Sequence, residues 1–93
     1  MAWGFISELP LSLEEYDRLN AEIGDDPAGL ILHTSSQKGG GVRIVDVWES
    51  KDAYESFERE TLFPALESIG ADTSGGPPPR EEYDVHNMRG SAA

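Results

Sequence analysis

The segment from Val42 to Trp48 constrains the fold of this chain more than any other. It is rich in β-branched residues, which favour a pleated strand. Val42 and Ile44 would face one side of that strand and Val45 and Val47 the other, because successive side chains alternate. A strand that is apolar on both sides belongs inside a sheet that is covered on both faces.

The rest of the chain predicts two helices and three more strands. Ser12 and Glu15 have the spacing of a capping box, which begins a helix. Gly24 ends that helix, because glycine tolerates the left-handed conformation. Ser50 caps the second helix, and we expect Pro64 to kink it or divide it in two, since proline removes a backbone donor. The strands are predicted at Trp3–Leu9, Gly29–Thr34, Val42–Trp48 and Glu82–Met88, with a flexible hairpin loop at Ser35–Gly41.

These elements form two strand–helix–strand halves, which predict a ferredoxin-like α+β fold of the order βαββαβ. Its four-stranded antiparallel sheet carries both helices on one face. The other face would also be apolar, since Leu30, Ile31 and Leu32 follow one another without alternation. Leaving such side chains in water forgoes roughly 1.5–3 kcal/mol each. We therefore expect a homodimer with packed sheets, unless the proline-rich linker predicted at Thr73–Pro79 or the C-terminal tail folds over this face.

Length and charge limit what the chain can be. One hydrophobic core suits this length, so a single domain is predicted at 1–88, with a flexible tail at 89–93. The net charge of −11 repels phosphate backbones and anionic membranes, which disfavours nucleic-acid and membrane partners. The chain has no cysteine for disulfides or thiolate metal sites. With no apolar leader or spanning segment, we expect a cytoplasmic protein.

The segment Val47–Tyr54, where the third strand meets the second helix, resembles a junction in a known superfamily. This is the antibiotic-biosynthesis-monooxygenase-like, dimeric α+β barrel superfamily, and the order of elements and the length also agree. The resemblance implies a dimer whose two sheets form a barrel, with a pocket in each subunit between sheet and helices. Members include cofactor-free oxygenases acting on aromatic polyketides, and haem-degrading enzymes.

Two positions of the family pattern bear on the chemistry. Trp48 matches the family's tryptophan and would form the pocket wall. Phe57 stands where the oxygenase-type pattern often has a histidine, and no histidine occurs from Lys51 to Ile69. The helix-borne haem ligand of the haem-degrading branch is therefore missing, and we expect no bound cofactor.

His33 lies in an apolar strand and is a candidate general base, because imidazole titrates near neutral pH. With Ser35 opposite Val42 in the hairpin, the histidine shares a sheet face with Asp46. The carboxylate would then orient the imidazole as part of a catalytic pair. The alternative is a histidine that is merely satisfied by hydrogen bonds in a half-buried strand.

Four aromatic residues, Tyr16, Trp48, Tyr54 and Phe57, are predicted to line a cavity suited to a planar ligand. The alternative is that they fill the core. His86, on the last predicted strand, is either a further ligand contact or a polar contact in a dimer interface. A cavity smaller than about 300 Å³ would favour the filled core.

No metal site is predicted, because two histidines on different strands without cysteine do not form a known ligand spacing. The leading hypothesis is a homodimer that binds a small apolar or aromatic molecule between sheet and helices. If it is an enzyme, it would be a cofactor-independent monooxygenase or a related small-molecule-converting enzyme of secondary metabolism. The alternative is a non-catalytic ligand-binding, regulatory or accessory dimer.

Overall fold

The computed structural model describes residues 2–72, 74–76 and 78–90. The strands are β1 (Trp3–Leu9), β2 (Leu30–Lys38), β3 (Gly41–Trp48) and β4 (Arg80–Asp84). The helices are α1 (Leu13–Ile23), α2 (Lys51–Phe57) and α3 (Phe63–Ser68), and a π-helical turn (Glu58–Leu62) joins α2 to α3. Thr73 and Pro77 of the predicted linker, and residues 91–93 of the predicted flexible tail, lie outside the described residues.

The four strands form one antiparallel sheet in the order β2–β3–β1–β4. Two β–α–β halves interleaved in this way make a ferredoxin-like α+β fold, which confirms the predicted fold class. In the centre of the sheet, Trp3 lies opposite Trp48 and Phe5 lies opposite Asp46. The central strands therefore bring aromatic and polar side chains together on the face that the helices cover.

Helix α1 begins as predicted. The Ser12 hydroxyl accepts a hydrogen bond from the Glu15 amide at 3.1 Å, and the Glu15 carboxylate accepts one from the Ser12 amide at 3.1 Å. Gly24 follows the helix with a φ of 77° and donates its N–H to the Asn20 carbonyl. The capping box determines where the first turn starts and therefore which side chains, Tyr16 among them, face the sheet.

The second helical region is divided near Pro64, as predicted. Helix α2 ends at Phe57, and α3 has Pro64 in its first turn, directly after the π-helical turn; proline has no N–H to donate there. The π-helical turn between the two helices accommodates the missing hydrogen bond by widening the backbone. It also changes the direction of the side chains that follow, relative to a continuous α-helix.

The β2–β3 hairpin is longer than predicted, and the expected flexible loop at Ser35–Gly41 is wrong. Strand β2 continues to Lys38, which pairs with Gly41, so that only Gly39 and Gly40 form the turn. Gly39 has a φ of 59°, which glycine adopts without strain. Polar residues occupy this end of the hairpin because it is exposed. Its composition is therefore similar to that of a loop.

The predicted register of the hairpin is wrong by two residues. Ser35 pairs with Ile44 rather than Val42, and His33 lies directly opposite Asp46. Because side chains alternate with a period of two, a shift of two keeps each residue on its predicted face. The histidine and the carboxylate consequently become direct neighbours.

An irregularity in β2 explains its unbroken apolar run. Leu30 pairs with Trp48, whereas Leu32 pairs with Val47, so one extra residue lies between the two pairs. A bulge of this kind changes the direction of the side chains that follow it. Leu30 packs against the helix-facing core, and the bulge lets His33 face the same side.

Strand β4 is shorter and begins earlier than predicted. It spans Arg80–Asp84 instead of Glu82–Met88. Its pairing ends where Asp84 meets Trp3, because its partner strand β1 begins there. His86 therefore follows the sheet and does not lie on a strand.

The sheet carries apolar side chains on both faces. The main buried cluster lies on the helix-facing side and consists of Trp3, Phe5, Val42, Ile44, Trp48 and Tyr54. A second buried cluster consists of Leu11, Leu19 and Ala65. On the opposite face Val47 is buried, whereas Ile6, Leu32 and Val45 are only half-buried. The helices thus leave an apolar surface partly in water.

Gly4 lies where a side chain does not fit. A Cβ there would lie 2.7 Å from the Tyr83 ring and 2.9 Å from the Asp46 carbonyl oxygen. We expect Gly4→Ala to lower the free energy of unfolding by about 1–3 kcal/mol, the usual cost of overpacking, as measured by urea denaturation. Gly40→Ala is the control, since nothing lies within 4 Å of its Cβ position. Equal losses in the two variants would contradict this explanation.

Candidate functional site

A cavity of about 640 Å³ lies between the helices and the helix-facing side of the sheet. Its walls are mostly apolar and include Phe5, Ile44, Leu19 and Leu66. Small-molecule sites usually exceed about 300 Å³. The aromatic side chains therefore leave the interior open, and the filled-core alternative is not supported.

Tyr16, His33, Asp46 and Trp48 form a hydrogen-bonded series that we call the polar chain. His33 Nδ1 lies 2.6 Å from Asp46 Oδ1, and His33 Nε2 lies 2.6 Å from the Tyr16 hydroxyl oxygen. The Trp48 indole N–H donates to Asp46 Oδ2 at 3.0 Å. All four side chains line the cavity.

Three different elements hold the polar chain. The β2–β3 pairing places His33 beside Asp46. Trp48 lies two residues after Asp46 and so projects from the same face of β3. Tyr16 comes from α1, and its ring is nearly parallel to the imidazole, at an interplanar angle of 12°. The chain therefore links a helix to the two strands beneath it.

Asp46 is a buried carboxylate with a donor at each oxygen. Its side chain is 6% exposed, and that of His33 is 32% exposed. The hydrogen bond from His33 to Asp46 raises the pKa of His33 above its ordinary value, and this outweighs burial, which lowers it. The imidazolium form therefore persists to a higher pH than in a free histidine.

The hydrogen bonds define what His33 can do. The Asp46 carboxylate accepts a hydrogen bond from His33 Nδ1, so that nitrogen carries a proton in both charge states of the imidazole. Neutral His33 can accept from the Tyr16 hydroxyl at Nε2, whereas protonated His33 donates to it. A proton can consequently pass between Nε2 and the Tyr16 hydroxyl, which bonds to no other side chain among the described residues.

The four aromatic residues predicted to bind a ligand, Tyr16, Trp48, Tyr54 and Phe57, all line the cavity. The Trp48 ring lies 5.2 Å from Phe57 and 5.3 Å from Tyr54, measured between ring centroids. His86 does not line the cavity, so its predicted place in the pocket is wrong. The strand that was expected to carry it ends at Asp84, and His86 is exposed beyond it.

Sequence reasoning missed a second polar cluster, which is centred on Arg80. The guanidinium carbon lies 5.6, 5.8 and 5.2 Å from the ring centroids of Trp3, Phe5 and Tyr54. Arg80 donates to Glu58 at 3.4 Å and to Glu82 at 3.2 Å.

The Tyr54 hydroxyl also donates to Glu58, at 3.1 Å, and burial raises the pKa of this tyrosine strongly. Arg80 and Glu58 both line the cavity. Arg80 lay between the predicted linker and the predicted fourth strand, and Glu58 lies on the π-helical turn, so no local pattern pointed to either residue.

No family model matches the sequence, and no curated protein matches it. Solved structures do match. A candidate antibiotic biosynthesis monooxygenase from Chloroflexus aurantiacus J-10-fl aligns with a TM-score of 0.69 and 15% identity, over 97% of this chain and 98% of that chain. SnoaB, a cofactor-independent oxygenase from Streptomyces nogalater solved as a variant, aligns with a TM-score of 0.61 and 12% identity, over 94% and 95%. The chain has the fold of these proteins.

A third match is MhuD, solved as a variant with two manganese protoporphyrin IX molecules per active site. It aligns with a TM-score of 0.65 and 14% identity, over 98% of this chain and 100% of that chain. Together these matches confirm, at the level of the fold, the resemblance that the Val47–Tyr54 segment indicates. Among the described residues, no helix is both long and apolar enough to cross a membrane. The same residues contain no group of three or more histidine, cysteine, aspartate or glutamate side chains placed to hold a metal ion.

The pKa of His33 tests the polar chain directly. We expect Asp46→Asn to lower the pKa of His33, because an amide does not attract the imidazolium as a carboxylate does. Titration of the imidazole resonances by nuclear magnetic resonance measures the change. Glu14→Gln is the control, since Glu14 is exposed on α1 and does not line the cavity. The same pKa in the native protein and in Asp46→Asn would show that the carboxylate does not control the histidine.

The raised pKa also predicts how stability depends on pH. The pKa of histidine in the unfolded chain is about 6.5, and the stabilisation that protonated His33 gains from Asp46 is fully present below that pH. It is lost as the pH rises through the higher folded-state pKa of His33. The stability advantage of the native protein over Asp46→Asn should therefore shrink over this interval, as measured by urea denaturation at a series of pH values. A constant difference would contradict the expectation.

Proposed function

We propose that the cavity binds a small, largely apolar or aromatic molecule and that the polar chain moves a proton to or from it. The observation that carries the proposal is the hydrogen-bonded series Tyr16–His33–Asp46, which opens on a cavity of about 640 Å³. Aromatic walls suit a planar ligand, and a few polar groups fix its orientation.

The proton would move in two linked steps. The Tyr16 hydroxyl oxygen takes a proton from a ligand hydroxyl or activated C–H, and its own proton passes to His33 Nε2. Asp46 stabilises the resulting imidazolium, because its carboxylate already accepts at Nδ1. The Trp48 N–H holds the other oxygen and so keeps the carboxylate aimed at the histidine. General base catalysis of this kind contributes roughly 100- to 10,000-fold to a rate.

The reaction we propose is oxygenation without a cofactor. Deprotonation makes a hydroxylated aromatic ring rich enough in electrons to reduce molecular oxygen directly. One oxygen atom enters the ring and the other leaves as water, so that a phenol and O₂ give a quinone and water. The likeness in fold to SnoaB, a cofactor-independent oxygenase, supports this reaction class.

Porphyrin chemistry, which the likeness to MhuD raises, does not fit the residues of this cavity. Haem iron needs an axial ligand. Both nitrogens of His33 are engaged, by Asp46 and Tyr16. Phe57 lines the cavity where a helix-borne histidine would be needed. His33 is therefore not available as an axial ligand for haem iron.

A second candidate is a non-catalytic binding protein. The observation that favours it is that Asp46 and the two nitrogens of His33 all have partners within the chain. Such a protein would bind the same class of ligand without converting it. Ligand binding without turnover is the result that separates the two candidates.

Oxygen uptake with 1,5-dihydroxynaphthalene tests the enzymatic proposal. The expected product is the corresponding hydroxynaphthoquinone, which is followed by its absorbance. Tyr16→Phe and Asp46→Asn should each reduce kcat by about 100-fold or more while the ligand still binds, because they interrupt the proton path. Glu14→Gln, at an exposed position of α1 away from the cavity, should have no effect. For the native protein, the rate should rise as the pH passes the raised pKa of His33, since only the neutral imidazole accepts a proton.

Three results are decisive. Binding without oxygen uptake would favour the non-catalytic candidate. Uptake that is equal in Tyr16→Phe and the native protein would exclude the proton path. Failure of the naphthalene to bind at all would contradict the ligand class.

We further propose that the protein is a homodimer in which two sheets pack through their uncovered faces. The half-buried side chains Ile6, Leu32 and Val45 support this assembly, because they form an apolar surface next to buried Val47. Covering this surface would recover part of the roughly 1.5–3 kcal/mol that each large apolar side chain loses in water.

Charge placed on this face should prevent dimerisation. We expect Val45→Asp to convert the dimer to a monomer, since a carboxylate would be buried against apolar side chains of the other copy. Sedimentation equilibrium measures the mass. Gln37→Asp adds the same charge at an exposed site on the helix-facing side of the sheet and should leave the dimer intact. A native protein that sediments as a monomer would contradict the proposed assembly.

A further inference from the structure

We infer that the cavity selects uncharged or cationic aromatic ligands and rejects carboxylated, sulfonated or phosphorylated ones. This inference rests on the proposed function and narrows its ligand class. Six carboxylate side chains line the cavity: Asp25, Asp26, Asp46, Glu58, Glu67 and Asp72. Arg80 is the only lysine or arginine among the described residues that line it.

Four of these carboxylates form an exposed rim at the cavity. Asp25 and Asp26 come from the connection between α1 and β2, Glu67 comes from α3, and Asp72 follows α3. Hydrogen bonds from the Ser74 amide and hydroxyl lower the pKa of Asp72 and keep it ionised. A ligand in the cavity therefore meets four carboxylates along its exposed margin.

The arginine inside does not offset this rim. An arginine at an aromatic site ordinarily suggests a carboxylate ligand, because its planar fork binds carboxylates in pairs. Here the guanidinium already donates to Glu58 and Glu82, and its side chain is only 20% exposed. Its positive charge is balanced by the protein itself.

The positive charge of protonated His33, the other cationic group of the cavity, is balanced in the same way. When His33 is protonated, its charge faces the carboxylate of Asp46 at 2.6 Å. An anionic ligand would thus lose its hydration without finding an unpaired cation, and the carboxylates of the rim would repel it. A neutral hydroxyl or carbonyl group meets neither obstacle and can exchange hydrogen bonds with the Tyr16 hydroxyl.

Two fluorescent probes with the same skeleton test the inference. N-phenyl-1-naphthylamine is neutral, and 8-anilinonaphthalene-1-sulfonate carries one added sulfonate. We expect the neutral probe to bind and the sulfonate to bind at least about tenfold more weakly. This is the scale of effect that a field of like charge produces. The difference should narrow as salt is added, because the Debye length falls from about 30 Å at 0.01 M to about 3 Å at 1 M. Only sulfonate fluorescence that the neutral probe displaces is counted, since this dye also binds other apolar surfaces.

Removal of charge from the rim separates electrostatics from the different hydrophobicity of the probes. The rim variant carries Asp25→Asn, Asp26→Asn, Glu67→Gln and Asp72→Asn, all at exposed positions. It should bind the sulfonate several-fold more tightly and the neutral probe unchanged. The control variant removes the same number of charges at exposed positions that do not line the cavity: Glu14→Gln, Asp17→Asn, Glu60→Gln and Asp84→Asn. It should leave both affinities close to their native values, and circular dichroism checks that both variants fold.

Each outcome decides between the two levels of the proposal. Sulfonate binding that is as tight as neutral binding, or that is unaltered in the rim variant, overturns the charge selection and leaves the ligand cavity standing. Equal gains in the rim and control variants would assign the effect to overall charge and also overturn it. Failure of the neutral probe to bind the native protein would instead count against the proposed function itself.

Discussion

Burial of the Asp46 carboxylate is the constraint on which the rest of the site depends. A carboxylate removed from water is tolerated only when its oxygens are hydrogen-bonded. One donor is His33, across the hairpin, and the other is the indole of Trp48, at the end of the same strand. The hairpin register and the end of β3 therefore each place one hydrogen-bond donor at the buried carboxylate of Asp46. The Tyr16 hydroxyl forms a hydrogen bond with the remaining nitrogen of His33, Nε2, and so links α1 to the edge strand β2.

Features that depend on nearby residues could be predicted from the sequence. The capping box at Ser12 and Glu15 and the division of the second helix at Pro64 are of this kind. The common face of His33 and Asp46 was also predictable, although the register was not, because an even shift leaves alternation unchanged. The junction at Val47–Tyr54 indicated the fold that solved structures share.

Features that depend on distant partners were not predictable. Strand β4 ends at Asp84 because β1 begins at Trp3, and no pattern within β4 reveals this. Arg80 lies against rings from two elements far away in sequence, so only the folded chain shows that it lines the cavity. The end of the β2–β3 hairpin resembled a loop in the sequence because its residues are exposed and polar and do not alternate with buried apolar ones.

The π-helical turn at Glu58–Leu62 has a consequence for how this cavity can change over evolution. Each residue of an α-helix turns the backbone by about 100°. Deleting a single residue from the turn would convert it to an ordinary helical turn and rotate α3 about its axis by that amount. Leu66 would then leave the cavity wall, and other side chains of α3 would replace it. One codon lost or gained in this turn would therefore change the part of the cavity wall that α3 forms, whereas the sheet and the polar chain would stay the same.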